Sequence, residues 1–152
     1  MILTKTRNLL ILTVVSLLML SCKEDYIETV ITTTPLTLSS EWQEIVPPRP
    51  LRCERTDQEL LLHSATPYSK KVDPLAMLLQ DGTVAKPQAQ LFTADGKAHE
   101  LDVLSFWGDE VVLSGRALPR STNFTKLRIR SNNPIKLSEI RFNCYNYADV
   151  KR

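Results

Sequence analysis

Glycine is scarce in this 152-residue chain, at four residues, and no run of five or more Lys and Arg occurs. The first absence excludes a collagen-like repeat, and the second excludes a nucleic-acid-binding arm. Heptads are missing, and 24 % charged beside 43 % hydrophobic residues is not the balance of a disordered polyelectrolyte. There is no GxSxG, HExxH, P-loop, CxxC or HxxxH pattern. Nucleophile-elbow, zinc-ligand and phosphate-cradling motifs are therefore all absent. His63 and His99 stand alone, and Asp102, Asp109 and Glu110 are scattered through strand and turn patterns. Hydrolysis needs a nucleophile with a base, or two facing carboxylates. The chain is therefore expected to be no enzyme and to carry neither metal nor cofactor.

The most informative stretch is the first. Met1–Asn8 holds Lys5 and Arg7 and no acid, and Leu9–Leu20 is apolar apart from Thr13 and Ser16. Twelve helical residues span roughly 18 Å, short of a ~30 Å hydrocarbon core, which suits a secretory leader better than a permanent anchor. Met19-Leu20-Ser21-Cys22 closes that run and resembles the lipobox of bacterial lipoproteins, with Met19 where Leu is usual and Leu20 bulkier than the typical residue. The resemblance implies cleavage after Ser21 and acylation of Cys22 on sulfur and amine. Two or three acyl chains anchor stably where one binds marginally. The alternative is an ordinary leader in which Cys22 is incidental. Lys23-Glu24-Asp25 resembles the surface-export signal of certain Gram-negative lipoproteins, or it is simply the solvated start of a tether. The expected location is the outer membrane, facing the cell surface or the periplasm.

Residues 1–21 are thus read as leader, 22–50 as a tether with a candidate docking strand, and 51–152 as the folded domain. Mature charge is balanced, 17 bases against 17 acids, yet residues 54–115 carry five bases and ten acids while residues 116–152 carry nine and two. Complementary strands within the fold explain that gradient, as does a basic face turned toward an anionic glycan or lipopolysaccharide. The Thr-rich run Thr29–Leu38 has the β-branched content of an edge strand. Pro47, Pro48 and Pro50 then impose a stiff PPII-like link.

Beyond the prolines, short alternating runs recur about every ten residues, with turn residues between them. Ala94-Asp95-Gly96-Lys97 between two such runs is the clearest hairpin, because Asp-Gly tolerates positive φ. Leu75–Leu79 reads as one helical turn or a buried strand. Phe124–Arg130 places Leu127 and Ile129 on one side and Arg128 and Arg130 on the other, and Glu139–Tyr147 alternates again. Seven or eight strands without a long helix predict an all-β antiparallel β-sandwich, with a jelly-roll arrangement open to it.

With Cys22 set aside, Cys53 and Cys144 remain. In an oxidising compartment they pair, or else sit as separate buried thiols. A bond closing about 90 residues is worth about 4–5 kcal/mol in the chain-entropy model.

Thr125-Lys126-Leu127-Arg128-Ile129-Arg130 followed by Leu137-Ser138-Glu139-Ile140-Arg141-Phe142 resembles the closing strands of discoidin-type, galactose-binding-like sandwiches. The terminal cysteine pair is similar to that of members whose two ends are joined by a disulfide. The resemblance spans about 25 residues and implies a jelly-roll that binds glycans or lipids through loops at one end. It carries over no binding residue.

On the residues themselves, Arg128, Arg130 and Arg141 would share one face if their two strands pair, with Tyr145 at its edge and Trp107 as a loop anchor or core residue. The chain is accordingly expected to be a lipid-anchored module that binds a glycan or an envelope protein. The alternative class is an inhibitor or immunity-type lipoprotein that blocks a hydrolase or toxin. A membrane is expected as partner through the lipid, and nucleic acid is not.

Overall fold

The structure, a computed structural model, describes residues 26–72 and 74–146. The leader, Cys22 and the Lys23-Glu24-Asp25 signal lie outside the described residues, as does Tyr147. Regular structure among the described residues is entirely β. The strands are β1 (Tyr26–Thr32), β2 (Leu36–Leu38), β3 (Gln43–Ile45), β4 (Asp57–Ser64), β5 (Tyr68–Val72), β6 (Leu75–Leu79), β7 (Val84–Ala85), β8 (Pro87–Thr93), β9 (Ala98–Leu101), β10 (Val103–Trp107), β11 (Glu110–Ser114), β12 (Phe124–Ser131) and β13 (Ile135–Tyr145).

Two antiparallel sheets pack face to face as a sandwich. One has the order β1-β13-β4-β11-β10, with β2 also on β13, and the other has the order β3-β12-β8-β9. Leu60, Leu62, Leu113, Ile140 and Phe142 of the first sheet meet Leu91, Leu101, Leu127 and Ile129 of the second in one buried core. Burial of each such side chain contributes about 1.5–3 kcal/mol. A smaller sheet, β5-β6-β7, adds Met77, Leu79 and Ala85 to the same core. Leu75–Leu79 is therefore a strand and not a helical turn.

Two irregularities reset the inside–outside alternation. Pairing shifts between Phe124 and Lys126 and again between Leu137 and Glu139. Phe124 and Leu127 consequently both face inward although three residues apart, as do Leu137 and Ile140. The Asp95-Gly96 hairpin forms between β8 and β9, with Gly96 at φ 87° and its N–H donating to Thr93 O at 2.9 Å.

The stretch expected as a tether supplies docking strands from Tyr26 onward: β1 and β2 lie on β13, and β3 lies on β12. These three strands, together with β5 and the two-residue β7, raise the count above the seven or eight expected. Pro47–Pro50 has no regular structure and delivers Leu51 to a bridge with Phe124. Cys53 and Cys144 form a disulfide across 91 residues, both nearly buried, which ties the segment before β4 to the last strand.

Candidate functional site

β12 and β13 are consecutive in the chain yet do not pair. The turn at Ser131–Pro134 carries the chain from one sheet to the other, so β12 lies between β3 and β8 while β13 lies between β1 and β4. The expected single arginine face is corrected accordingly. Arg128 and Arg130 stand on the outer surface of one sheet, and Arg141 stands on the outer surface of the other, with Tyr145 and Trp107 on its side.

On the β3-β12-β8-β9 surface, alternation sends Lys126, Arg128 and Arg130 outward from β12. Glu44, opposite Arg128 on β3, takes Arg128 Nε at 3.1 Å and Lys126 Nζ at 3.3 Å. Hydrogen bonds from Arg128 and then Lys126 hold the Glu44 carboxyl below the usual carboxylate range. The Phe92 ring lies beneath both cations, 5.0 Å from Lys126 Nζ and 5.1 Å from Arg128 Cζ. Arg130 Cζ lies 4.4 Å from the centre of the Trp42 ring and its Nε donates to Gln88 Oε1 at 3.2 Å. Each guanidinium thus lies over a ring and has an acceptor for its Nε. The Nη groups of Arg128 and Arg130 donate to no acceptor among the described residues. Phe92 was legible as outward-facing from the alternation of Gln90-Leu91-Phe92. Trp42 sits just before β3 and had no pattern to place it.

The opposite surface is built differently. Arg141 is shared among Glu139 at 2.8 Å, Glu28 at 3.4 Å and Glu110 at 3.9 Å. The hydrogen bond between Arg141 and Glu139 raises the guanidinium pKa and lowers that of the carboxyl. In the adjacent row, Glu28, Asn143 and Glu59 face one another across β1, β13 and β4. The Tyr145 hydroxyl donates to Glu59 Oε2 at 3.0 Å in buried surroundings. Three rings converge there: Tyr26 lies 6.0 Å from Trp107 and 6.0 Å from Tyr145, and Trp107 lies 6.1 Å from Tyr145. Tyr26 and Trp107 come from the two edge strands of a five-strand path, so it is the twist of the sheet that lifts opposite corners toward each other. Burial first, and then the Glu28 charge, push the Tyr26 hydroxyl pKa upward. Asn143 is fully buried, and neither its Oδ1 nor its Nδ2 has a hydrogen-bond partner. A cleft of about 290 Å³, with Asp57, Glu59 and Tyr145 among its walls, opens beside this row, and the exposed Arg116 stands at its rim.

The remaining candidates sit elsewhere. His63 is exposed at the end of β4, and His99 is half-buried, edge-on to Phe124 at 5.5 Å. Among the described residues no group of His, Cys, Asp and Glu is placed to hold a metal ion.

No family model and no curated protein matches the chain. Among solved structures it is similar to a chain described as CpGH89CBM32-6 produced by Clostridium perfringens, at 7 % identity and TM-score 0.41, covering 81 % of this chain and 96 % of that one. It is also similar to a chain of infectious bursal disease virus, Gx strain, at 12 % identity and TM-score 0.28, covering 78 % of this chain and 28 % of that one. At these scores neither likeness bears on what the two surfaces bind.

Proposed function

We propose that the chain is a non-catalytic binding module, held at a bacterial outer membrane by acyl chains on Cys22, whose β3-β12-β8-β9 surface engages an anionic glycan of the envelope. One observation carries the reading: Arg128 and Arg130 lie side by side on Phe92 and Trp42 with Glu44 and Gln88 on their Nε groups, while their Nη groups meet no acceptor among the described residues. A planar guanidinium meets carboxylate or phosphate through two parallel hydrogen bonds. Holding it rigid beforehand reduces the ordering cost of binding. An anionic sugar residue offers such a group, and its hydroxyls can meet the remaining guanidinium N–H donors. Anchoring on Cys22 adds avidity, since a surface-tethered module meets a repeating polymer at high local concentration.

The test is retention on immobilised acidic polysaccharide and lipopolysaccharide, alongside palmitate labelling of intact cells. The double variant Arg128→Ala with Arg130→Ala should bind about tenfold or more weakly, as expected for loss of charge-assisted hydrogen bonds. Cys22→Ala should carry no palmitate. Unchanged retention by the double variant, or no label on the parent chain, defeats the corresponding half of the reading.

A further inference from the structure

Neither outer surface includes the end of the sandwich at which β1 begins. Tyr26 pairs with Tyr145, and Tyr145 pairs with Asp57, so two strand spacings, about 10 Å, separate the start of β1 from the start of β4. The loop between β11 and β12, residues 115–123, crosses this same end and is fastened at three places. Gly115 runs so close to β9 that a Cβ there would stand 2.7 Å from Glu100 O. Gln58 Nε2 donates to Pro119 O at 3.2 Å, and the Ser121 N–H donates to Cys53 O at 2.9 Å. Ser121 holds φ 58°, a left-handed conformation that a residue other than glycine keeps only where its surroundings impose it. The loop thus has a fixed path, along which it presents Arg116 and Arg120. Both are exposed, and neither side chain has an ion pair or hydrogen bond among the described residues. The acids nearby are engaged: Glu54 with Arg52 and the Ser121 hydroxyl, Asp57 with the Thr56 hydroxyl, and buried Glu59 with Tyr145.

We infer that the loop bearing Arg116 and Arg120 docks on anionic lipid headgroups of the bilayer that holds Cys22, an inference that rests on the anchoring proposed above. Tyr26 follows Cys22 by four positions. A fully extended chain spans at most about 3.6 Å per residue, so the start of β1 stays within roughly 14 Å of the anchored residue. The loop beside it is therefore held next to the headgroup layer. Guanidinium groups meet lipid phosphates through charge-assisted hydrogen bonds, and each arginine beside an anionic surface gains about fivefold in partitioning. Two together give about 25-fold, weak for a free protein but enough to set the orientation of one already tethered. Arg120 does not line the cleft at whose rim Arg116 stands, so the pair suits a spread array of phosphates rather than one small phosphate compound. With this end docked, the turn at Ser131–Pro134, at the far end of β12 and β13, points away from the membrane. Arg128 and Arg130 then face sideways, open to a polymer.

The experiment makes the tether chemically, so that its outcome does not depend on acylation in the cell. Every core residue lies within 31–144, and a chain starting at Cys22 therefore keeps the whole fold. With Cys53 and Cys144 in their disulfide, Cys22 is its one free thiol and couples to a maleimide lipid. A nitroxide is carried on p-acetylphenylalanine in place of Ala117, which is exposed between the two arginines. Its relaxation by nickel-chelating headgroups reports closeness to the bilayer. The docked-to-free ratio should be about tenfold or more higher on vesicles of equal parts phosphatidylglycerol and phosphatidylcholine than on phosphatidylcholine alone. Arg116→Gln with Arg120→Gln, or added salt, should return it to the phosphatidylcholine value. The same label in place of Gln80, in the turn after β6, should stay distant throughout. Equal relaxation on the two kinds of vesicle would overturn the inference. So would an unchanged signal in the folded loop variant, or a label at position 80 as close as the one at 117. Competition by dissolved glycerol phosphate at matched ionic strength would overturn it in favour of a free phosphate compound. Arg128→Ala with Arg130→Ala should leave the signal at 117 unaltered, and palmitate labelling of cells tests the acylation, so docking, glycan binding and anchoring each stand or fall alone.

Discussion

The two outer surfaces of the sandwich treat charge in opposite ways. On the β12 side, Lys126 and Arg128 keep 31 % and 40 % of their side-chain surface in water and share Glu44, itself 47 % exposed. Solvent screens these groups, and breaking one pair returns both partners to water at little cost. On the β13 side, Glu59 and Asn143 are buried and Glu139 is only 20 % exposed. There a lost partner leaves a polar group without water, and the penalty is the full desolvation cost. The same fold therefore offers one surface where substitution costs little stability and another where it costs much more.

The disulfide stands beneath the second surface, since Cys144 lies on β13 one residue from both Asn143 and Tyr145. Its removal by Cys53→Ala with Cys144→Ala should cost about 4–5 kcal/mol by the loop-entropy relation for a loop of this length. Urea unfolding followed by Trp emission measures it. If the contrast between the surfaces holds, Trp107 should lose its native emission at lower urea than Trp42. Coincident transitions would show that both sheets unfold as one unit.

Arg141→Met is the next largest. It leaves Glu28, Glu110 and Glu139 facing one another and should destabilise by roughly 1–3 kcal/mol at neutral pH, below the cost of breaking a fully buried pair because the side chain is 31 % exposed. The pH dependence has a definite sign. The Glu139 carboxyl titrates below its unfolded value because Arg141 donates to it. Its stabilisation is therefore complete above the ordinary carboxylate range and is lost as pH falls through the depressed folded value. The parent should weaken on acidification through that window. The variant should weaken less, because protonation relieves its carboxylate repulsion. Parallel stability curves for the two proteins would contradict the pairing.

What the sequence disclosed and what it hid divide along the same line between local and distant. Asp95-Gly96 was legible because a two-residue turn between alternating runs is a local device. The cysteine pair was legible because compartment and parity leave few partners. Alternation placed Arg128, Arg130 and Arg141 outward correctly, but a period of two reports the side of a strand and never the sheet it joins. Ser131-Asn132-Asn133-Pro134 has the composition of a hairpin turn and instead crosses the sandwich, which is why the single arginine face dissolved. Tyr26 was hidden inside a supposed tether. The meeting of its ring with Trp107 and Tyr145 depends on sheet order and twist, which no window of sequence contains.

Asn143→Leu isolates burial from charge. An apolar side chain of similar size removes the unmatched amide, and the loss of both unsatisfied atoms should stabilise the chain by about 1 kcal/mol. A gain in thermal midpoint is the expected result. A loss of stability would show that the amide is satisfied in solution by ordered water.

Arg128→Met should have the smallest effect on the fold and a plain effect on recognition. Glu44 is left with Lys126, already within 3.3 Å, so no charge is stranded. The methionine side chain still covers Phe92, which keeps the apolar part of the contact seen at 5.1 Å. The urea midpoint should be unchanged within error, and raising the salt concentration should not reveal a difference between variant and parent. Retention on an acidic polysaccharide should drop, and the drop should shrink as added salt screens the remaining cations. If Arg128→Met instead moves the midpoint as far as Arg141→Met does, water does not screen the β12 cations as their exposure requires, and the distinction between the two surfaces collapses.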